Sequence, residues 1–82
     1  MRYRIDFSEE AIVQLRGLGK DWRRNIGFRL DQLQDDLAGD VKKLTGGNNE
    51  YRLRVGNYRI LFTLEKDLLF VYAVRDRKDA YE

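Results

Sequence analysis

Seven residues in the second half of the chain have side chains suited to chemistry on a polyanion: Arg52, Arg54, Arg59, Arg75, Arg77, Lys78 and Tyr81. The first three flank a two-residue Gly56-Asn57 step inside Tyr51-Arg52-Leu53-Arg54-Val55-Gly56-Asn57-Tyr58-Arg59-Ile60. Gly-Asn between two alternating runs signals a hairpin. Such a loop sets Val55 opposite Tyr58, Arg54 opposite Arg59, Leu53 opposite Ile60 and Arg52 opposite Leu61. Cross-strand partners share a face of the sheet. Arg52, Arg54 and Arg59 should then project together, with Tyr51, Leu53, Val55, Tyr58, Ile60 and Phe62 on the other face. Like charges placed directly opposite destabilise a hairpin, so the pair is either splayed into water or held ready for an anion. Arginine's planar fork is the better phosphate clamp. The plainer alternative is a solvent face decorated with arginine. On the same footing Arg75 to Lys78 reads as a charged tail, and Tyr81 as a ring packing the end of the sheet.

The composition limits what else the chain can do. It has no cysteine and no histidine, so disulfides, thiolate or imidazole metal sites and Ser-His or Cys-His catalysis are unavailable. No metal and no cofactor is expected. Residues 8–40 carry five basic and seven acidic side chains, whereas residues 41–82 carry nine basic and six acidic. A basic back half hints at an anionic partner there. The first ten residues include charged side chains and lack the apolar core of a signal peptide, and no apolar run approaches the ~20 residues that span a bilayer. A soluble, cytoplasmic protein without membrane contact is the expectation. With 43% hydrophobic residues and no proline, residues 1–82 are expected to fold as one domain.

The elements that must position the basic residues follow from periodicity. Tyr3, Ile5 and Phe7 alternate with Arg2, Arg4 and Asp6, the period of a half-buried strand. Ser8 suits a helix N-cap, with Glu9 and Glu10 in the first turn. Ile12, Leu15 and Leu18 give a short apolar stripe, ended by Gly17 or Gly19. Asp21 can cap a second helix, in which Trp22, Ile26, Leu30, Leu33 and Leu37 fall on one face before Gly39 stops it. Phe28 lies off that stripe. Residues 41–50 read as a connector, with a turn signal at Gly46-Gly47-Asn48-Asn49. Strands are expected over 51–55, 58–64 and 68–75, with Glu65-Lys66-Asp67 closing the second hairpin. The expected fold is α+β in the order β-α-α-β-β-β, an antiparallel sheet with a helical hairpin packed on one face.

Lys43-Leu44, the run Tyr51 to Ile60 and the closing Arg75-Asp76-Arg77-Lys78-Asp79-Ala80-Tyr81 together resemble the RelE/ParE toxin superfamily over nearly the whole chain. The resemblance implies a toxin held inactive by a cognate antitoxin. In the RelE branch it implies a ribosome-dependent endoribonuclease that cuts messenger RNA. The family's active-site positions fall here on Arg52, Arg54, Arg59, Arg75 and Tyr81, all chemically suitable, which favours RelE over ParE. Two features depart from the pattern. Arginines stand at 52 and 54 where the best-known RelE has lysines, and the C-terminal helix common in the family is not expected in a chain ending at Glu82.

The implied reaction is metal-independent attack of a ribose 2′-hydroxyl on the adjacent phosphate, leaving a 2′,3′-cyclic phosphate and a 5′-hydroxyl. It needs a base, cations around the developing phosphorane charge and an acid at the leaving oxygen. Arginine is a poor base, whereas cationic neighbours favour a phenolate. Tyr81 is thus the candidate base or 2′-oxygen orienter. Arg54 and Arg59 hold the phosphate, Arg75 serves the leaving group, and Arg52, Arg77 and Lys78 bind the RNA backbone. Expected partners are an antitoxin, in a possible toxin–antitoxin heterotetramer, and the ribosome with its messenger. Two other readings stay open: a ParE-like inhibitor of DNA gyrase without nuclease activity, and a binding module that has lost activity.

Overall fold

In a computed structural model, residues 2–36, 41–44 and 49–76 are described. The element order is β1 (Arg4–Phe7), α1 (Glu9–Arg16), α2 (Lys20–Asp36), β2 (Val41–Lys43), β3 (Glu50–Val55), β4 (Tyr58–Glu65) and β5 (Leu68–Asp76). The five strands form one mixed sheet in the order β1-β5-β4-β3-β2. The α+β class with two consecutive helices is as expected.

The sheet itself differs from expectation in two linked ways. Val41–Lys43, read as connector, is a short edge strand antiparallel to β3. Three residues are too few for a visible alternation, so only the pairing with β3 defines it. That strand adds one reversal to the meander, so β5 ends up running in the direction of β1. The closing pair is therefore parallel, Arg4 to Leu68 through Phe7 to Val71, and the sheet is not wholly antiparallel.

Local signals explain how α1 begins. Ser8 is extended at its N-cap, and its Oγ accepts a hydrogen bond from the Ala11 N–H at 3.0 Å. The same hydroxyl donates to the Tyr72 carbonyl at 3.0 Å, which ties the helix start to β5. The buried stripe of α1 is not the expected one. Ala11 is fully buried, with Leu15 and Leu18 packed beside it, while Ile12 is exposed. Spacings of four and three serve Ala11-Leu15-Leu18 as well as spacings of three and three serve Ile12-Leu15-Leu18. The small alanine is the residue the core accepts. Helix α2 begins at Lys20, with the Gly19 carbonyl accepting from the Arg23 N–H at 3.0 Å. Asp21 thus sits in the first turn rather than at the cap.

Ile26, Leu30 and Leu33 of α2 are buried against Leu53, Val55, Ile60, Phe62, Leu69, Val71 and Val74. One face of the sheet is thereby covered by helices, and Phe28 stays exposed. Leu37, Gly39 and the turn residues Gly46, Gly47 and Asn48 lie outside the described residues. Among the described residues no helix is long and apolar enough to cross a membrane.

Candidate nucleic-acid interface

The hairpin β3–β4 has the register that its Gly-Asn loop dictates: Val55 with Tyr58, Arg54 with Arg59, Leu53 with Ile60 and Arg52 with Leu61. Gly56 has φ +59°, the left-handed region that glycine enters without a steric penalty. A second reason for glycine comes from α2. A Cβ at position 56 would overlap the ring of Trp22. Trp22 in turn meets Tyr58 edge-on, with centroids 4.9 Å apart. An aromatic from the first turns of α2 is thus seated on the loop that joins the two arginine-bearing strands.

Register carries the basic row one strand further. Arg59 pairs with Arg75 across β4 and β5, so Arg54, Arg59 and Arg75 form one transverse row on the helix-free face. The next row is Lys42, Arg52, Leu61 and Ala73. Between Leu61 and Phe62 the β4–β5 register slips, and Tyr72 has no partner across the ladder. The bulge lets both Ala73 and Arg75 keep the open face while Val71 and Val74 enter the core. The Val74 N–H finds its acceptor in Gln14 Oε1 at 2.6 Å, so α1 helps hold the strand that carries Arg75.

The arginines differ in environment. Arg54 and Arg75 are exposed and Arg59 is half-buried. Arg52, expected to project with them, lies on the expected face but retains only 9% of its exposure. Its Nη1 is buried, with no hydrogen-bond partner among the described residues. An unsatisfied buried donor costs roughly 1–3 kcal/mol, more when charged. Beside it is a cleft of about 280 Å³ lined by Lys42, Lys43, Leu44, Arg52, Arg54 and Arg59. No carboxylate is among these lining residues.

Other side chains near this site were not assigned a role from sequence. The Tyr72 hydroxyl donates to Glu50 Oε1 at 2.8 Å. Burial of the phenol, then the hydrogen bond and the negative charge of Glu50, push its pKa up to about 12, against the opposing pull of Arg75. Tyr72 is therefore a proton donor at neutral pH, not a base. Lys42 and Lys43 were also missed as site residues. Their signal, a basic doublet, was in plain view, but it lay in a segment read as connector. Arg77, Lys78 and Tyr81 lie outside the described residues.

Comparisons with known proteins agree with one another on kinship. Residues 5–81 match the model of a family described as the ParE toxin of the type II toxin–antitoxin system parDE. The chain is 31% identical over 84 residues to toxin RelE3 of Methanocaldococcus jannaschii, covering 96% of each. It is 31% identical over 87 residues to the mRNA interferase toxin RelE of Escherichia coli, covering 99% of this chain and 92% of that one. Among solved structures, the RelB–RelE antitoxin–toxin complex of Methanococcus jannaschii superposes with a TM-score of 0.80 at 30% identity, over 92% of this chain and 93% of that one. With the toxin fold, the helix-free basic sheet face and these matches in hand, the chain belongs to the RelE/ParE toxin superfamily.

Proposed function

We propose that the chain is the toxin of a type II toxin–antitoxin pair and acts as a ribosome-dependent endoribonuclease on messenger RNA. The observation that carries this reading is the Arg54–Arg59–Arg75 row, with Arg52, whose buried Nη1 has no partner among the described residues, in the row beside it. A gyrase-directed ParE-like toxin has no need of such a phosphate-sized concentration of donors. The relatives named RelE toxin and mRNA interferase support the nuclease reading.

In the proposed reaction the 2′-oxygen attacks the adjacent phosphorus and the bond to the 5′-oxygen breaks. The attacking hydroxyl gives up its proton and the leaving oxygen receives one. Arg54 and Arg59 hold the phosphate and stabilise the developing charge. Arg75, at the end of the same row, faces the leaving group. Arg52, Arg77 and Lys78 bind the RNA backbone, and Tyr81 orients or deprotonates the 2′-hydroxyl. Tyr72, bound to Glu50, stays a neutral phenol and is not offered as the base. A cognate antitoxin, the kind of partner present in the RelB–RelE complex, masks the basic face with acidic residues and holds the toxin inactive in a cytoplasmic heterotetramer.

The test is single-turnover cleavage of ribosome-bound messenger at saturating toxin. Wild type should give cuts phased to the ribosome, and Tyr81→Phe should be slower by on the order of a hundredfold, the usual effect of losing a general base. Arg59→Ala should also lose cleavage while keeping the fold. Absence of ribosome-phased cuts by the wild type, with inhibition of gyrase instead, would sink the nuclease reading.

A further inference from the structure

We propose that Lys42 and the buried guanidinium of Arg52 form a second phosphate seat, one step along the strand from the Arg54–Arg59–Arg75 row. The sheet then grips two successive phosphates of one single strand. This inference rests on the nucleic-acid reading of the same face and says how the strand lies on it.

Three observations meet here. Lys42 and Arg52 are register partners across β2 and β3, so their side chains leave the same face. Arg52 and Arg54 are two residues apart on β3, which places their rows about 6.8 Å apart along the strand. That is of the order of the distance between successive phosphates along a nucleic-acid strand. The cleft spanning both rows measures about 280 Å³.

The two rows are chemically unequal. Arg54 and Arg75 are exposed, with Arg59 half-buried between them, whereas Arg52 Nη1 is sealed from solvent without a partner among the described residues. A phosphate in the cleft would lie against Arg52, which lines it. Lys42, exposed at the edge strand, would supply the counter-charge on the phosphate's outer side. An acidic peptide could also seek this cleft. A phosphate fits better, because its several oxygens can meet the fork of Arg52 and the ammonium of Lys42 together.

The experiment measures binding, not cleavage, so it stands apart from the nuclease assay. Isothermal titration would use 2′-deoxy oligonucleotides, which lack the attacking hydroxyl: a dinucleotide with one bridging phosphate and a tetranucleotide with three. For the tetranucleotide, Lys42→Ala should flatten the plot of log affinity against log salt by about 0.7, one phosphate contact on a single strand. Lys42→Glu should weaken binding further. The dinucleotide should sit in the arginine row, and its affinity should not change with Lys42→Ala. Lys42 is exposed, and unchanged thermal unfolding of both variants is the control for the fold. An unchanged salt slope in Lys42→Ala, equal losses for both oligonucleotides, or no binding by the wild type would each overturn the second seat. So would an acidic peptide that outcompetes the tetranucleotide. Ribosome-phased cleavage that persists in any of these cases would leave the nuclease reading standing.

Discussion

Arg52→Met should make the protein more stable and less able to bind nucleic acid. Arg52 keeps only 9% of its exposure, and its Nη1 has no partner among the described residues. Leaving such a donor unsatisfied costs roughly 1–3 kcal/mol. Methionine has a comparable length of flexible apolar chain, so the packing of the arginine stem is largely preserved. The lost donor removes the penalty, and the shorter head group gives back part of the gain through imperfect filling. A net stabilisation of about 1–2 kcal/mol follows, against a total of about 5–15 kcal/mol for an ordinary domain. In a domain this small each kcal/mol moves the melting midpoint by about 4–8 °C. Urea titration at constant m-value, with thermal melts beside it, would read the change, and titration with the uncleavable tetranucleotide would read the lost affinity. A variant less stable than wild type by more than about 1 kcal/mol would refute the reasoning. It would mean that the guanidinium is already repaid by acceptors in the free protein and is not held for a ligand.

Leu30→Ala, at a position 4% exposed between α2 and the sheet, should cost about 2–5 kcal/mol through lost transfer energy and the cavity left behind. Chemical denaturation of the variant would show it. Gly56→Ala should cost about 1–3 kcal/mol, since alanine is strained at φ +59° and its Cβ displaces Trp22. Because Trp22 is the only tryptophan, a red-shifted emission should accompany the loss. Tyr72→Phe should change how stability depends on pH. The folded protein holds the phenol proton more tightly than the unfolded chain, with the pKa raised from 10.0 to about 12. Its contribution is therefore complete below pH 10 and is lost as pH rises to about 12. The partial exposure of Tyr72 reduces the size to on the order of 1 kcal/mol. Lysines and other tyrosines titrate nearby, so the measurement is the difference between wild type and Tyr72→Phe, and a constant difference from pH 8 to 12 would count against the Glu50 contact.

Much of the fold and part of the site are legible in the residues alone, wherever short-range rules act. Ser8 with Glu9 and Glu10 announces the start of α1. The spacing of Ile26, Leu30 and Leu33 names the buried face of α2. The Gly56-Asn57 loop, with strict alternation on both sides, leaves one register for β3 and β4, because a one-residue slip would turn Leu53 and Ile60 into water and the arginines into the core. The facing of Arg54 and Arg59 follows from that alone. Where two stripes both fit a helix, as Ala11-Leu15-Leu18 and Ile12-Leu15-Leu18 do, periodicity cannot choose, and the room beside β5 decides for alanine.

Other features exist only once distant segments meet. Val41–Lys43 is a strand because β3 offers it an edge, and that added reversal makes the β1–β5 pair parallel. Lys42 joins the basic face only through its register with Arg52, and Arg75 only through its register with Arg59 past the bulge at Tyr72. The hydrogen bond from Tyr72 to Glu50 links residues 22 positions apart. Alternation assigned Arg52 to a face but not to a depth. Its burial is a property of the assembled structure, and no spacing in one segment records it.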